Sequence, residues 1–373
     1  MVIGYGGSRI GEDRTGQASY SRTLLNGVAA LGLFQLHLYG QARNMQLMQA
    51  QLVRRDNLVC SHWRSTLGGA PWADGSRVRQ LAADGVRLFH ALDGRLPRRL
   101  DRADIRSVVT VHDLMAMAHP EYYPPGEARR FARQMQRMLP KADCIVASSE
   151  CTKRDICRLT DVAADKVRVI YQSCHPSFTE EPSSSKMWQV RDKYDLPDRY
   201  VLNVGNLEER KNVLLAVRAL HYLPDDVSLV IVGRQSPYSD LLHDYILQNR
   251  MQSRVQMLHN VPDDDLPALY RMADCFVYPS RYEGFGLPIV EAISQGLPVV
   301  ACTGSCLEEA GGPDSLYVSP DDDKAMAHAI GQVLFGTPGR QQRIERSRQY
   351  IRRFGPADMA QSYASLYQEI LTA

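Results

Sequence analysis

Short apolar runs alternate along the chain with stretches whose apolar residues recur at helical spacing. The runs predict strands at 2–4, 34–39, 86–91, 107–111, 144–148, 167–172, 200–204, 227–233, 255–259, 275–279 and 298–302. The helical spacing predicts helices at 16–30, 42–55, 126–139, 150–159 and 356–371. Strands that alternate with helices in this way indicate parallel sheets covered on both faces.

A segment rich in proline and serine separates the chain into two halves. Residues 175–198 contain three prolines and a Ser183-Ser184-Ser185 run around a short predicted helix at 186–194. At 373 residues the chain is long for one domain. We therefore predict two domains, 1–178 and 179–354, followed by a terminal helix at 355–373.

Eight cysteines are scattered without a Cys-x-x-Cys pair, several of them in apolar strands. This pattern favours buried free thiols over a zinc site or a disulfide framework. No apolar run approaches the ~20 residues that a membrane helix needs, and the start reaches glycine and charge too early for a signal peptide. We expect a soluble, cytoplasmic protein.

Charge is divided unevenly between the two halves. Residues 1–178 hold 25 Lys and Arg against 16 Asp and Glu, whereas the rest hold 19 against 26. The first half contains two clusters of arginines. One consists of Arg95, Arg98, Arg99 and Arg102, and the second consists of Arg129, Arg130, Arg133 and Arg137. The second rides on an amphipathic helix, which is either a solvated outer face over a core stripe or a surface for an anionic membrane.

The stretch from Ser280 to Gly312 carries the sharpest chemical pattern. A Gly-Phe-Gly-Leu-Pro turn between two apolar strands opens a helix, and Glu283 and Glu291 bracket that turn. Strand, glycine loop and helix aim backbone N–H groups at an anion. An isolated glutamate pair at this spacing is more often a pair of solvated acids near a helix start.

Glu283, seven residues, Glu291 and then Gly-x-Pro-Val-Val at 296–300 resemble the signature of the retaining, nucleotide-sugar-dependent glycosyltransferases of family four. The resemblance implies the GT-B architecture, an α/β fold of two Rossmann-like domains. Their parallel sheets would face a central cleft, and the C-terminal helix would cross back to the first domain.

Arg210 and Lys211 follow the strand 200–204 and Gly205 and stand at a predicted helix start. The helix dipole disfavours cations there, so a phosphate site would explain their presence. They also resemble the Arg and Lys with which the family neutralises the donor diphosphate. Two acidic runs, Asp263–Asp265 and Asp321–Asp323, precede helices, and N-capping explains them better than a metal site does.

His112 ends the strand 107–111 in a Val-His-Asp-Leu sequence. Ligands bind at the carboxyl ends of strands in open α/β sheets, although a lone histidine is more often structural. The sequence resembles that of the family's histidine that faces the transferred sugar. The loop ahead of the first helix contains Gly7 and Gly16 and resembles the family's loop beside the donor phosphates. Thr15-Gly16 stands there in place of the usual Gly-Gly.

The resemblance also implies a donor site in the second domain. Glu283 would hold sugar hydroxyls, and Glu291 would hold the ribose. The remaining donor-binding candidates are Gly205, Gly233, Val261, Gly284, Phe285, Gly286 and Leu287. No cofactor is expected, because the nucleotide sugar is a substrate. No metal ion is expected, because Arg210, Lys211 and the loop amides would stabilise the charge of the leaving diphosphate.

We interpret the chain as a retaining, metal-independent hexosyltransferase with His112, Glu283, Arg210 and Lys211 as catalytic candidates. GDP-mannose is the favoured donor, with UDP-sugars as the alternative, and the acceptor is a glycan or lipid-linked saccharide of a surface polysaccharide. The N-terminal domain would touch the inner face of a membrane, and nucleic acid is not expected as a partner. A UDP-sugar 2-epimerase and a non-catalytic subunit remain as alternatives.

Overall fold

The computed structural model describes residues 1–6, 10, 16–41, 45–63, 75–97 and 99–372. The chain folds into two compact units. The first comprises Met1–His175 and Phe354–Ala373, and the second comprises Pro176–Arg353. The sequence analysis placed its divisions after residues 178 and 354.

The first unit contains a seven-stranded parallel sheet in the order β3-β2-β1-β4-β5-β6-β7. Its strands are β1 Val2–Gly6, β2 Gln35–Gly40, β3 Leu58–His62, β4 Val86–Ala91, β5 Arg106–Val111, β6 Cys144–Ala147 and β7 Val167–Val169. Its helices begin with α1 Gly16–Ala30, α2 Met45–Ala50, α3 Ser76–Ala83, α4 Met115–Ala118, α5 Pro125–Met138 and α6 Glu150–Leu159.

The second unit contains a six-stranded parallel sheet in the order β10-β9-β8-β11-β12-β13. Its helices are α7 Ser184–Tyr194, α8 Val213–Ala219, α9 Pro237–Gln248, α10 Leu266–Met272, α11 Leu287–Ser294, α12 Leu307–Gly311, α13 Asp323–Gly331 and α14 Arg340–Ile351. Its strands are β8 Tyr200–Val204, β9 Ser228–Val232, β10 Val255–Leu258, β11 Cys275–Tyr278, β12 Val299–Cys302 and β13 Leu316–Val318.

The last helix, α15 Pro356–Thr372, belongs to the first unit, as predicted. It packs along α1 so closely that a side chain at Gly27 would collide with Ala360. Tyr363 and Tyr367 of α15 are fully buried against the sheet. The chain thus returns to its first unit and closes that core.

The structure departs from the sequence prediction at several elements. Strand β3 and helix α3 were not predicted, because β3 is a half-buried edge strand and α3 buries Arg77 and Gln80 on its inner face. The predicted strand 167–172 ends at Val169. The predicted helix 42–55 ends at Ala50 in α2, and its first residues, 42–44, lie outside the described residues.

All eight cysteines are free thiols, six of them buried, as predicted. Within the described ranges, no helix has both the length and the apolar character to cross a membrane. Across the same ranges, no three His, Cys, Asp or Glu side chains gather closely enough to hold a metal ion.

Candidate functional site

The candidate site of the second unit lies at the carboxyl end of its central strands. After β8, a short 3-10 turn at Glu209–Lys211 carries Arg210 and Lys211 ahead of α8. Asn212 then adopts a left-handed conformation, with φ +53°, and its amide donates to the carbonyls of Pro279 and Pro320. The turn is therefore fixed to the segment that follows β11.

Three charged side chains meet at this point. Lys211 Nζ bonds Glu283 Oε1, and Arg210 Nη1 lies 3.5 Å from the same oxygen. Arg210 also pairs with Glu208 at 2.8 Å. The side chains of Arg210, Lys211 and Glu283 are only 16%, 11% and 11% exposed. The structure thus brings together three of the four predicted catalytic residues.

The protein stabilises the charged form of Glu283 despite its burial. Burial by itself raises the pKa of a carboxyl group, but the Lys211 ammonium and the Arg210 guanidinium outweigh that effect. The pKa of Glu283 is consequently lowered. The cluster keeps an anion and two cations in a mostly dehydrated place.

Tyr278, the last residue of β11, is a site residue that the sequence analysis missed. Its hydroxyl accepts a hydrogen bond from Lys211 Nζ at 2.7 Å, and the same ammonium lies 5.0 Å from its ring centroid. Tyr278 is 2% exposed. Its only signal in the sequence was an aromatic residue at a strand end, which is more often core.

The Gly284–Leu287 loop connects this cluster to α11. Gly286 has φ +109°, and a Cβ there would lie 3.2 Å from Leu307 Cδ2, so only glycine suits the position. Helix α11 begins at Leu287, and Pro288 is its second residue. Phe285 and Leu287 are buried. The predicted contacts of these two residues with the donor would therefore be made by their main-chain groups.

Glu291 lies one turn into α11, and its surroundings differ from those of Glu283. The Tyr270 hydroxyl donates to Glu291 Oε2 at 3.0 Å. Burial raises the pKa of Glu291 to about 7; the Tyr270 hydrogen bond opposes this change, whereas the nearby Asp263 carboxylate reinforces it. The two glutamates of the signature are thus held in different protonation regimes.

Gly205 and Gly233 meet at the ends of β8 and β9. A Cβ on Gly233 would collide with the Gly205 carbonyl oxygen and lie 2.9 Å from Leu207 Cγ. The carbonyl of Gly233 also bonds His259 Nδ1 at 2.7 Å. Val261 follows β10 and is 6% exposed. These donor-binding candidates lie at the same edge of the sheet as the charged cluster.

His112 lies at the end of β5 in the first unit, and both its ring nitrogens are engaged there. Nε2 lies 2.9 Å from the carbonyl of Leu92, which can only accept, so Nε2 carries the proton. The side-chain nitrogen of Gln172 lies 2.7 Å from Nδ1 and donates to it. The Ser148 hydroxyl donates to the His112 carbonyl at 2.6 Å. This pattern holds a neutral imidazole in one tautomer.

Gln172 was missed by the sequence analysis because residue 172 was assigned to a strand. The loop after β7 instead turns its side chain onto His112. Gly16 is the exposed first residue of α1. Gly7 and Thr15 lie outside the described residues, so the predicted phosphate role of their loop has no structural description.

The sequence of segment 62–75 shows no clear helix or strand pattern, which leaves an acceptor-site lid and a plain surface loop as alternatives. Trp63 stacks on Tyr39 at 4.7 Å and is covered by Arg77 at the same distance. It is therefore packed into the unit. Residues 64–74, including Trp72, lie outside the described part.

The two acidic runs have different roles. Asp322 caps α13 by accepting from Ala325 N at 2.8 Å, as predicted. The capping prediction was wrong for Asp263–Asp265, where no side chain caps a helix. Asp265 instead accepts hydrogen bonds from Lys186 at 2.5 Å, from Lys193 at 2.7 Å and from the Tyr194 hydroxyl at 2.8 Å. Two cations beside a buried carboxylate are worth more than one cap bond.

Comparison with known proteins follows this division into units. Residues 14–177 match the model of Glycosyltransferase Family 4, and residues 187–350 match the model of Glycosyl transferases group 1. The chain belongs to this glycosyltransferase family. The predicted recognition and the predicted GT-B fold class are thereby confirmed.

Relatives in the family include the O-antigen chain mannosyltransferase B of Escherichia coli, 34% identical over 66% of this chain and 65% of the relative. The serotype-specific mannosyltransferase WbdA of Escherichia coli is 29% identical over 63% of this chain and 30% of its own length. The matched region therefore spans less than two thirds of either relative.

Two solved structures have the same fold at low identity. Anabaena Alr3699/HepE in complex with UDP and glucose aligns with a TM-score of 0.77 at 18% identity, over 99% of this chain and 100% of that one. The sucrose-phosphate synthase of Thermosynechococcus elongatus aligns with a TM-score of 0.80 at 20% identity, over 100% and 99% of the two chains.

Proposed function

We propose that this protein is a retaining glycosyltransferase that moves a hexose from a nucleotide diphosphate sugar to a hydroxyl group of a glycan or lipid-linked acceptor. The observation that carries the proposal is the pair of cations, Arg210 and Lys211, held beside a glycine loop. Family membership and the names of the mannosyltransferase relatives support it.

The chemistry requires a place for negative charge. The bond between the anomeric carbon and the diphosphate oxygen breaks, and its electron pair leaves with the diphosphate. The acceptor oxygen bonds the same carbon on the same face, and its proton passes to the leaving phosphate. Arg210, Lys211 and the Gly284–Leu287 amides would stabilise the leaving charge, a task that needs no metal ion.

GDP-mannose is the proposed donor, and the product is proposed to enter a surface polysaccharide such as O-antigen. Relatives that are O-antigen mannosyltransferases support mannose as the transferred sugar and O-antigen as the kind of product. The test is thermal unfolding with a panel of nucleotide sugars, in magnesium and in EDTA. A donor at 100 times its dissociation constant should stabilise by ~2.7 kcal/mol. Protection by UDP-sugars alone would contradict GDP-mannose as the donor. Loss of protection in EDTA would contradict metal-independent binding.

The two signature glutamates are proposed to serve different parts of the donor. Glu283→Gln should lower turnover more than donor affinity, because the neutral amide no longer matches the two cations. Glu291→Ala should chiefly weaken donor binding, because a ribose contact is made before and during reaction alike. Equal effects of both changes on nucleotide affinity, measured by calorimetry, would contradict this division.

Product analysis separates the proposed function from its alternatives. A transferase releases the nucleoside diphosphate only when a saccharide acceptor is present. A 2-epimerase would convert the sugar without any acceptor, and a non-catalytic subunit would bind nucleotide without turnover. Chromatography of reactions with and without a lipid-linked saccharide distinguishes the three.

An anionic membrane surface is the proposed partner of α5. Its arginines at 129, 130, 133 and 137 are exposed, whereas Ala128 and Met135 are buried. Among the described residues, no carboxylate forms an ion pair with these four side chains. Exposed cations without paired carboxylates attract anionic lipid. Replacing all four by glutamine should abolish sedimentation with vesicles that contain phosphatidylglycerol; unchanged sedimentation would refute the proposal.

A further inference from the structure

Cys306 occupies an unusual position behind the glycine loop of the candidate donor site. It immediately precedes α12 and is 0% exposed. Its thiol lies 3.1 Å from the carbonyl oxygen of Glu283 and 3.0 Å from that of Phe285. One sulfur thus contacts two carbonyls of the loop, on either side of Gly284.

The position of these two carbonyls determines the direction of the N–H groups that follow them in the loop. A trans peptide points its C=O and the following N–H in opposite directions. Because the carbonyl oxygens of Glu283 and Phe285 both lie within 3.1 Å of the Cys306 sulfur, we infer that the N–H groups of Gly284 and Gly286 are directed to the other side of the loop. Two N–H groups directed to the side opposite Cys306 are what an anion-binding loop needs.

We propose that Cys306 is a positioning residue that aims the Gly284 and Gly286 amides at the diphosphate of the donor. This inference rests on the proposed function, because it assumes that a nucleoside diphosphate binds at this loop. The thiol does not touch the reacting atoms. It acts by fixing two peptide planes, and the long C–S bond lets one side chain reach both carbonyls.

The neighbouring loop and helix make the arrangement specific. Gly286 must remain glycine because of its φ of +109° and its approach to Leu307 and Ala310 on α12. The segment that carries Cys306 therefore also packs against the loop from behind. Cys302, at the end of β12, is equally buried, and among the described residues its thiol forms no hydrogen bond to the loop carbonyls that Cys306 contacts.

The test compares ligands that differ only in their phosphates. Affinities of GDP, UDP, guanosine and uridine are measured by NMR titration for the unmodified protein, Cys306→Ala, Cys306→Ser and the control Cys302→Ala. Cys306→Ala should bind the preferred nucleoside diphosphate about tenfold more weakly, the loss of one charge-assisted hydrogen bond. Its affinity for the matching nucleoside should not change. Cys306→Ser should recover part of the loss, and Cys302→Ala should match the unmodified protein.

A second measurement needs no variant. With 15N-glycine labelling, the nucleoside diphosphate should shift the amide signals of Gly284 and Gly286, and the nucleoside alone should not. Unshifted signals, or equal losses for diphosphate and nucleoside in Cys306→Ala, would overturn the role of Cys306. If the unmodified protein binds no nucleoside diphosphate at all, the proposed function itself fails, which is a different outcome.

Discussion

The two units differ in the kind of polar side chains that lie at the ends of their central strands. Each has a parallel sheet whose central strands end at polar side chains that are largely removed from water. In the first unit these side chains are neutral and bonded to one another around His90, Thr110 and Tyr20. In the second they are Arg210, Lys211 and Glu283, which stay charged.

The network of the first unit is built from hydroxyl and imidazole groups. His90 Nε2 lies 2.8 Å from the Thr110 hydroxyl, and its Nδ1 lies 2.7 Å from that of Tyr367. Thr110 also bonds Tyr20 at 3.1 Å and Tyr363 at 3.3 Å. Burial, helped by the nearby His112, lowers the pKa of His90 to about 3. The network is therefore neutral at any ordinary pH.

The difference shows what each region can do. A fully buried neutral network stabilises the unit and orients its neighbours; the Tyr20 ring packs edge-on against His112 at 4.9 Å. A cluster of paired charges at partial exposure can exchange one partner for an anion. This contrast supports the proposed anion site in the second unit, and it can be tested by perturbing each network in turn.

The largest effect is expected for Lys211→Met. Removing one of two cations that would stabilise a leaving diphosphate should lower turnover by about a hundredfold to a thousandfold. The matched control is Lys324→Met, because the exposed Lys324 ammonium lies over the Tyr222 ring and forms no ion pair with Glu283 among the described residues. Turnover of both variants is measured by steady-state kinetics. A loss below about fivefold for Lys211→Met would show that Lys211 has no part in the proposed mechanism.

The second prediction is that lowering the pH changes the stability of the two units in opposite directions. Since the pKa of His90 is lowered in the fold, the first unit should lose about 1.4 kcal/mol per pH unit as pH falls below 6.5. Since the pKa of Glu291 is raised to about 7, the second unit should gain stability as pH falls from 7 to 4.5. Hydrogen exchange of β4 and β11, corrected for intrinsic rates, should change with opposite signs.

Two variants check the origin of these slopes. Glu291→Gln should remove the gain in the second unit, and its free energy of unfolding should become nearly independent of pH in that window. His90→Gln should flatten the slope of the first unit. If both units still respond with the same sign in the unmodified protein, the contrast between the two networks is wrong.

The third prediction concerns Thr110→Val, which keeps the shape of the side chain and removes its hydroxyl. His90, Tyr20 and Tyr363 would each lose a buried partner, so the free energy of unfolding should fall by about 2–3 kcal/mol. Thr23 on α1 is the control, because its hydroxyl is buried and has no hydrogen-bond partner among the described residues. Thermal unfolding should show a lower midpoint for Thr110→Val and none of that loss for Thr23→Val.

The smallest effect is expected for Tyr278→Phe. The ring remains, but Lys211 loses a hydroxyl that helps to hold its ammonium, so turnover should fall by about tenfold or less. Tyr200→Phe is the control, because its buried hydroxyl donates to the Leu269 carbonyl instead. In the Lys211→Met background, Tyr278→Phe should add no further loss. An additive loss would show that Tyr278 acts independently of Lys211.

Much of this protein could be read from its sequence, because the signals were local. Apolar runs between glycine turns predicted β4, β8 and the central strands around them, and the spacing of Glu283 and Glu291 predicted the family. The adjacent cations Arg210 and Lys211 stood out because they break the usual charge preference at a helix start. Edge elements such as β3 were missed because half-burial leaves a weak apolar pattern.

Only the tertiary structure decided which side chains meet. Tyr278, Gln172 and Cys306 reach their partners across separations in sequence that no periodicity encodes. The sequence determined the strands, the glycine loop and the family signature, since each depends on neighbours along the chain. The protonation states of Glu283 and Glu291 were decided by folding, since burial and the groups packed around each carboxylate differ at two positions of one short motif.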